Sequence, residues 1–567
     1  MSNKHERVFR VVFLVCCWMG GWAQALAADE IHWTVTGPTS VTVDWKGPET
    51  EIHYGLTSAY GKTVAARQPS PLPFSSSGPF WEARLTGLAE DTVYHYAIGD
   101  GPDQTFRTPP PRGTSGFTVA VEGDIADSAR RWRMGVVQGL IAAGPPAFVL
   151  AVGDLTYGNK YGQDAVDQHF NDVMVWSRYA AYMPAWGNHE WDKPYDPATG
   201  TGDDLRNYKG RFDFPNPQTS PGSPAVSCCG EDWYWFDFGN TRFIAYPEPW
   251  KGAWVDWNVK ADALMDEAQA DPAIAFIVTY GHRPAYSSGH HPGSSTLKGY
   301  LDALGAGHSK HVLNLNGHSH NYERTYPQSG VVHVTAGIGG ANLGQDGSCL
   351  WLTCIQPSWS AFRAMHHGFL RLRFLSDRIE GEAICGPPGG KTSNINDITC
   401  DQGTIMDRFT VISREAPNLI GNPSFEEDLS GWRSYGGSTI ERVSGGFAGA
   451  FSAQVTGPAS TATFGINDHP NWILATPAPG TRYRAAAWVQ SAGSTGRAKL
   501  RIREFNNGVL VRSTYSPAVV LSPTWQLLLL ELVAQNSGST IDIQVLDTPV
   551  TVSEVFLVDD ISIRIIP

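Results

Sequence analysis

Five short segments set chemistry-bearing side chains along the chain in a fixed order. They are Gly123-Asp124-Ile125-Ala126, Gly153-Asp154-Leu155-Thr156-Tyr157, Gly187-Asn188-His189-Glu190, Gly281-His282-Arg283-Pro284 and Gly317-His318-Ser319-His320. Singly each is weak, since a Gly-Asp after a strand is usually a turn and an isolated His is usually packed or on the surface. Together they supply two carboxylates (Asp124, Asp154), an amide oxygen (Asn188), a phenol (Tyr157) and three imidazoles (His282, His318, His320). Hard oxygen and imidazole donors without thiolates suit iron, manganese or zinc. Such a set is too large for one tetrahedral ion. With one carboxylate bridging, it fills two ions about 3.5–4 Å apart. His318 and His320, two residues apart, share a face if the backbone there is extended, and a turn would direct them to neighbouring ions.

Short apolar runs must deliver these loops. Phe117–Glu122, Ala147–Val152, Ile274–Thr279 and Val312–Leu315 are each followed closely by Gly and a polar residue. Helix-like stretches such as Ser128–Ala143 and Trp254–Gln269 lie between some of them. This alternation predicts βαβ units and a largely parallel sheet with functional loops at the strands' carboxyl ends. The fold class expected is multidomain, with this α/β region at 114–413 between two β regions. Residues 29–112 alternate in polarity, as in Ile31–Val35, Ser40–Trp45 and Val93–Ile98, and end at the stiff Thr108-Pro109-Pro110-Pro111. Residues 417–567 return to alternating strands such as Arg482–Trp488.

The order of motifs resembles the metallophosphoesterase superfamily and, within it, the purple acid phosphatases. The general superfamily has a His two residues after the first Asp, where this chain has Ala126; Tyr157, in Gly-Asp-x-x-Tyr, is the replacement that purple acid phosphatases use. "GHRPAYSSGHH" and "GHSHNYERTYP" are similar to the family as well, whereas Ala126 stands where the family has Gly. The resemblance covers residues 29–413. It implies a central metallophosphoesterase sandwich in which Fe(III) takes Asp124, Tyr157 and His320. A divalent ion (Zn, Mn or Fe) takes Asn188, His282 and His318, and Asp154 bridges. It implies substrate contacts at His189, His290 and His291, with His291, or else His290, protonating the leaving alkoxide. Glu190, Glu323 and Arg324 would brace the motifs, and His366-His367 is read as structural. The activity implied is hydrolysis of phosphomonoesters, with an acidic optimum, by attack of a metal-bound hydroxide. A phosphodiesterase or nucleotide-cleaving enzyme on the same site is the alternative. A non-catalytic glycan- or wall-binding protein is disfavoured by the complete ligand set. The stretch "GLAEDTVYHYAIGD…QTFRTPP" resembles the last strands of a fibronectin type III β-sandwich. "NLIGNPSFEEDLSGW" and "VFLVDDISIRI", through Asn422, Phe425, Glu426, Gly431, Trp432, Asp559 and Asp560, resemble jelly-roll carbohydrate-binding modules. That likeness implies a polysaccharide partner and a structural calcium at Glu426 and Asp559.

Composition and termini narrow the setting. The 567 residues are 42% hydrophobic and 17% charged, with 20 Trp, enough to bury a large core and exclude wholesale disorder. The net charge of −13 argues against a nucleic-acid-binding surface, so an anionic ligand needs a local pocket. Residues 1–27 read as a secretory signal: Lys4, Arg7 and Arg10, the apolar Val11–Trp18, then Ala25-Leu26-Ala27. The product is expected to be secreted or periplasmic, without a membrane anchor after cleavage. Six cysteines remain, an even count that suggests disulfides. Cys349–Cys354 and Cys385–Cys400 would close short loops, leaving Cys228 and Cys229 as a vicinal pair or thiols.

Overall fold

The computed structural model describes residues 28–125, 131–196, 198–199, 201–222, 230–271, 273–344, 355–388, 400–412, 418–447 and 449–566. The signal segment, Ala126, Cys228, Cys229, Cys349 and Cys354 lie outside the described residues. Cys385 and Cys400 are joined, with a Cα–Cα distance of 6.2 Å.

Two antiparallel sheets form the N-terminal sandwich. One joins Asp29–Gly37, Ser40–Lys46 and Phe80–Leu85; the other joins Lys62–Ala65, Glu51–Gly55, Val93–Ile98 and Gln104–Arg107. Alternation puts Trp33, Trp45, Val43 and Tyr96 inside. Their core runs without a break into that of the central region. Polar contacts reinforce the seam: Ser177 Oγ donates to the Ile31 carbonyl (2.7 Å), and Lys46 meets Asp167 (2.9 Å). Arg211 bonds Glu30, Ser75 Oγ (2.6 Å) and Asp167 (3.0 Å) while its guanidinium lies over Phe170.

The central region is two facing sheets. The first runs Ala181–Tyr182, Phe148–Ala151, Phe117–Glu122, Gly368–Phe374, Arg378–Cys385, Ile405–Ile412, with the first three strands parallel and the last three antiparallel. The second runs Trp235–Phe238, Thr241–Ala245, Phe276–Tyr280, His311–Asn316, Val332–Ala336, Tyr322–Thr325, Ser360–Ala364. Its four consecutive strands from Thr241–Ala245 to Val332–Ala336 are parallel, and its edges are antiparallel. The expected largely parallel sheet is thus two mixed sheets. The parallel strands are buried on both faces, whereas edge strands such as Ser360–Ala364 are only partly buried and carry no periodic warning of their direction. The helices Arg131–Ala143 and Ala253–Ala270 occupy the two stretches read as helical.

The C-terminal region is a second antiparallel sandwich with a separate core. It meets the central region through Arg484 with Asp377 (2.6 Å) and Phe447 against Tyr326, ring centroids 5.4 Å apart. No helix among the described residues is long and apolar enough to cross a membrane.

Candidate metal centre

Every candidate ligand sits just beyond a strand end of the two facing sheets. Asp124 follows Phe117–Glu122, Asp154 and Tyr157 follow Phe148–Ala151, and Asn188 follows Ala181–Tyr182. His282 follows Phe276–Tyr280, and His318 and His320 follow His311–Asn316. The chain turns sharply at these points. Asp124, Asp154, Tyr157 and His318 all have φ between 53° and 65°. Left-handed backbone at residues other than Gly costs about 1–3 kcal/mol each and persists where surrounding structure enforces it. The glycines beside them leave room that a side chain would fill. A Cβ at Gly187 would lie 2.3 Å from Asp154 Oδ1, and one at Gly317 2.6 Å from Asp124 Oδ2.

The side chains converge on two overlapping groups. Asp154, His282 and His318 form one, and Asp124, Asp154 and His320 the other, each with its donor atoms within 4.8 Å of one another. Asp154 belongs to both. His282 Nε2 lies 3.2 Å from Asp154 Oδ2 and 3.1 Å from His318 Nδ1. His320 Nε2 lies 3.1 Å from Asp124 Oδ1 and 3.2 Å from the Tyr157 hydroxyl, which is itself 3.2 Å from Asp124 Oδ1. Asn188 Oδ1 is buried without a hydrogen-bond partner. A buried amide oxygen left unpaired beside two carboxylates and three imidazoles fits a pair of cations, which would accept every one of these lone pairs.

Backbone groups aim the ligands. His282 Nδ1 bonds the Val152 carbonyl (3.0 Å) and His320 Nδ1 the Asn342 carbonyl (2.6 Å), so both turn Nε2 inward. The amides of His189 and His318 donate to Asp154 Oδ1 and Asp124 Oδ2, 2.8 Å each, leaving the other carboxylate oxygens to face the imidazoles. Glu190 accepts four amides, those of Asp154 (3.0 Å), Leu155 (2.8 Å), Thr156 (3.2 Å) and Gly187 (2.8 Å), and so ties the second and third motifs together.

The electrostatics are strongly polarised. Burial works against charge on His282, yet the Asp154 carboxylate prevails and pushes the imidazole up to about 10. Burial, with His282 and Arg283 alongside, holds His318 far below the ordinary range. Burial and then the Asp124 and Asp154 carboxylates push the Tyr157 phenol well above 10, so only a strongly Lewis-acidic cation would hold it as phenolate.

The three histidines expected at the substrate are also here. His189 packs on the Tyr157 ring (4.2 Å) and bonds Asn159 Oδ1 (2.9 Å). His291 stacks on His318, centroids 4.0 Å apart, with His290 beside it at 4.4 Å. Burial, then His290 and His320, lower His291 to about 4. Of the expected braces, Glu323 bonds the Ser288 amide (2.7 Å) and hydroxyl (2.6 Å), holding the loop that carries His290 and His291 rather than the motif beside it. Arg324 does not brace the motif. It pairs with Asp407 (2.7 and 3.0 Å) on the other sheet, because alternate residues of a strand point to opposite faces. Sequence reasoning did not single out Arg283, whose Nη1 lies 2.6 Å from His318 Nε2 and whose Nε and Nη2 bind Glu248. Its place directly after His282 was the available signal; Glu248, far away in the chain, offered none.

Three family models match in chain order. They are "Purple acid Phosphatase, N-terminal domain" over residues 28–111, "Calcineurin-like phosphoesterase" over 117–322 and "Iron/zinc purple acid phosphatase-like protein C" over 330–378. The chain belongs to the purple acid phosphatase family. It is 24% identical to purple acid phosphatase 15 of Arabidopsis thaliana over 312 residues, 47% of this chain and 54% of that protein. It is 26% identical to the probable inactive purple acid phosphatase 1 of the same plant over 406 residues, 63% of this chain and 62% of that one. The chain thus spans between about half and two thirds of these relatives. Among solved structures, a purple acid phosphatase from yellow lupin (Lupinus luteus) seeds aligns with a TM-score of 0.52 at 20% identity. That alignment covers 68% of this chain and 74% of that one, and shows a shared fold. The family of purple acid phosphatases implies a dinuclear centre, and the two ligand groups sharing Asp154 are its counterpart in this chain.

Proposed function

We propose that this protein is an exported acid phosphatase with a dinuclear metal centre, acting on phosphomonoesters. The observation that carries the reading is the sharing of Asp154 by two ligand groups in a chain of this family. In this reading Asp124, Tyr157 and His320 would hold ferric iron, and Asn188, His282 and His318 a divalent zinc, manganese or iron. Asp154 would bridge them. When bound, such a pair supplies Lewis acidity that lowers the pKa of a coordinated water and offsets phosphoryl charge. The remaining work falls to the chain itself. His189 is fixed by Asn159 and by the Tyr157 ring. With its Nδ1–H given to Asn159 Oδ1, its Nε2 donates to a phosphoryl oxygen only in the protonated form, which burial disfavours and Asp154 favours. Glu323 fixes the loop that brings His290 and His291 over His318. The low proton affinity of His291 in the free protein sets a condition on its role as acid. The negative charge of a bound phosphate would favour the protonated form that burial, His290 and His320 disfavour. Glu190 keeps Asp154 and Asn188 at a fixed spacing through amides on both of their loops.

Around this site we read a signal at 1–27, a fibronectin type III-like sandwich at 29–112, a catalytic unit at 114–413 and a carbohydrate-binding-module-like sandwich at 417–567. In the last unit Glu426 accepts the amides of Ala450 and Phe451, and Asp559 those of Phe447 and Asp560, so a calcium there would join existing backbone contacts.

Metal content and visible spectrum of the mature protein test the reading, together with turnover of a phosphomonoester and a phosphodiester at pH 5–6. Iron and a second metal near one equivalent each, a broad band in the yellow-green and preference for the monoester are expected. A colourless protein with two zinc or manganese ions and diester preference would replace it by the phosphodiesterase alternative. A protein that takes up no metal would refute it.

A further inference from the structure

Beside the ligand cluster lies a cavity of about 210 Å³, lined by Trp186, Asn188, Trp191, Glu248, Trp250 and Arg283. We infer that this cavity takes the leaving group of the ester, and that the group it favours is a flat aromatic ring joined to the ester oxygen directly or through one carbon. The inference rests on the phosphatase reading above, and it adds the substrate class that the ligand set alone does not specify.

Position comes first. Asn188 belongs both to the candidate ligand set and to the cavity wall, and Arg283, another wall residue, lies against His318. A phosphoryl group held at the cluster therefore has this cavity as its neighbour. Hydrolysis transfers the oxygen of a water to phosphorus and breaks the bond from phosphorus to the ester oxygen. That oxygen leaves with the electron pair and takes up a proton, so the group it carries must occupy space next to the cluster.

Size comes second. Pockets that enclose a whole drug-sized ligand run to about 300–1,000 Å³. A cavity of about 210 Å³ suits one ring system with the phosphate left outside it at the cluster.

The chemistry of the walls selects among possible groups. Trp186 and Trp250 are 5.9 Å apart at 31°, and Trp191 meets Trp250 edge-on at 4.3 Å and 81°. The cavity thus offers both faces and edges of indoles, the two arrangements aromatic rings prefer. The Trp186 ring is fixed, buried and with Nε1 donating to the Asp232 carbonyl (2.9 Å). The charged pair in the wall is committed to itself: Arg283 Nε contacts both Glu248 oxygens (3.1 and 2.9 Å), and Nη2 adds a third contact at 2.9 Å. A sugar or polyol would lose hydrogen bonds to water on entering and find few replacements, whereas an aromatic ring loses none. The indoles come from two separate parts of the chain, Trp186 and Trp191 from one and Trp250 from the other, so the cavity exists only in the folded protein.

The test uses the full-length, metal-loaded protein and two non-hydrolysable anions of equal charge, methylphosphonate and benzylphosphonate. Their dissociation constants are measured by calorimetry, without turnover. Benzylphosphonate should bind about tenfold more tightly, the worth of one well-packed aromatic contact. Trp250→Ala and Trp191→Ala should each bring the ratio to within about twofold, and Trp250→Phe should keep most of it, which also controls for folding. Equal affinities in the unaltered protein, or a ratio unmoved by both alanine variants, would overturn the inference while leaving the phosphatase reading standing. Binding of neither anion would overturn both.

Discussion

Replacing Glu190 by Gln removes one carboxylate oxygen from a position where four amides point. The two oxygens divide the work evenly. Oε2 takes Asp154 and Gly187, at 3.0 and 2.8 Å, and Oε1 takes Leu155 and Thr156, at 2.8 and 3.2 Å. Glutamine has the same shape but puts an NH₂ where one oxygen was, so two buried amides face a donor. Burial, then the Asp154 carboxylate, pushes Glu190 up to about 8, so the variant is compared above that pH, where the group is charged. Hydrogen bonds to a charged group are each worth about 1.5–3 kcal/mol, and the loss of two predicts about 3–6 kcal/mol. At about 2 °C per kcal/mol for a large domain, the melting temperature should drop by about 6–12 °C. The same amides position Asp154 and the loop of Asn188, so metal affinity should fall by about 10–100-fold, as for other residues that orient ligands. Calorimetric melting and metal content after equilibration with a chelator buffer read the two effects separately. Unchanged melting and unchanged metal retention in Glu190→Gln would refute the assignment of Glu190 as the tie between the two loops. Loss of stability with full metal retention would refute only the link to the ions.

Tyr157→Phe keeps the ring on His189 but loses the oxygen, so a purified variant should fold, melt within a few degrees of the parent and lack the visible band; a retained band would exclude Tyr157 as the source. Arg211→Ala removes one of the two cations that Glu30 and Asp167 share, Lys46 remaining, and should cost about 1.5–3 kcal/mol. Limited proteolysis should then release the N-terminal sandwich sooner, and unchanged protection would show that the apolar seam suffices. Burial, then Asp213, pushes Glu231 up to about 9, so the folded protein binds its proton more tightly than the unfolded chain does. That contribution is complete below about pH 4.5 and is lost as pH rises towards 9. Burial lowers His169 and His333 to about 3, and they act in the opposite sense, costing stability as pH falls below about 6.5. Relative to the parent, Glu231→Gln should therefore gain about 2 kcal/mol or more between pH 5 and pH 9, read by urea unfolding, and a constant difference would refute the burial argument.

Much of the fold was legible because its signals are local. Phe117–Glu122 and Val93–Ile98 begin and end where the alternation and apolar runs put them. Four of the five ligand motifs follow such a run, which is why their positions at strand ends were readable; the Asn188 motif follows the two-residue strand Ala181–Tyr182, too short to show as a run. Strand direction was not local. Gly368–Phe374 is antiparallel to its neighbour Phe117–Glu122, more than two hundred residues earlier in the chain, and no residue in either strand announces the pairing. The stiff Thr108-Pro109-Pro110-Pro111 sets the N-terminal sandwich apart in the sequence, yet its Trp33 and Trp45 belong to the same continuous core as Phe148 and Phe170.

By itself the sequence determined the donor chemistry and its order: two carboxylates, an amide, a phenol and three imidazoles after apolar strands, with Tyr157 present and no His at position 126. Side-chain chemistry travels with the residue, so composition and spacing are enough to name it. Tertiary structure alone decided which donors meet. It put Asp154 in both groups, chose the carbonyls of Val152 and Asn342 to turn His282 and His320, and set His291 on His318 with its proton held weakly. It also closed three indoles and the Glu248–Arg283 pair into one cavity beside Asn188. The physical reason is that distance and burial are properties of the whole packed chain. Backbone carbonyls carry no sequence signature, and a pKa or a cavity wall depends on neighbours that arrive from other sheets and loops.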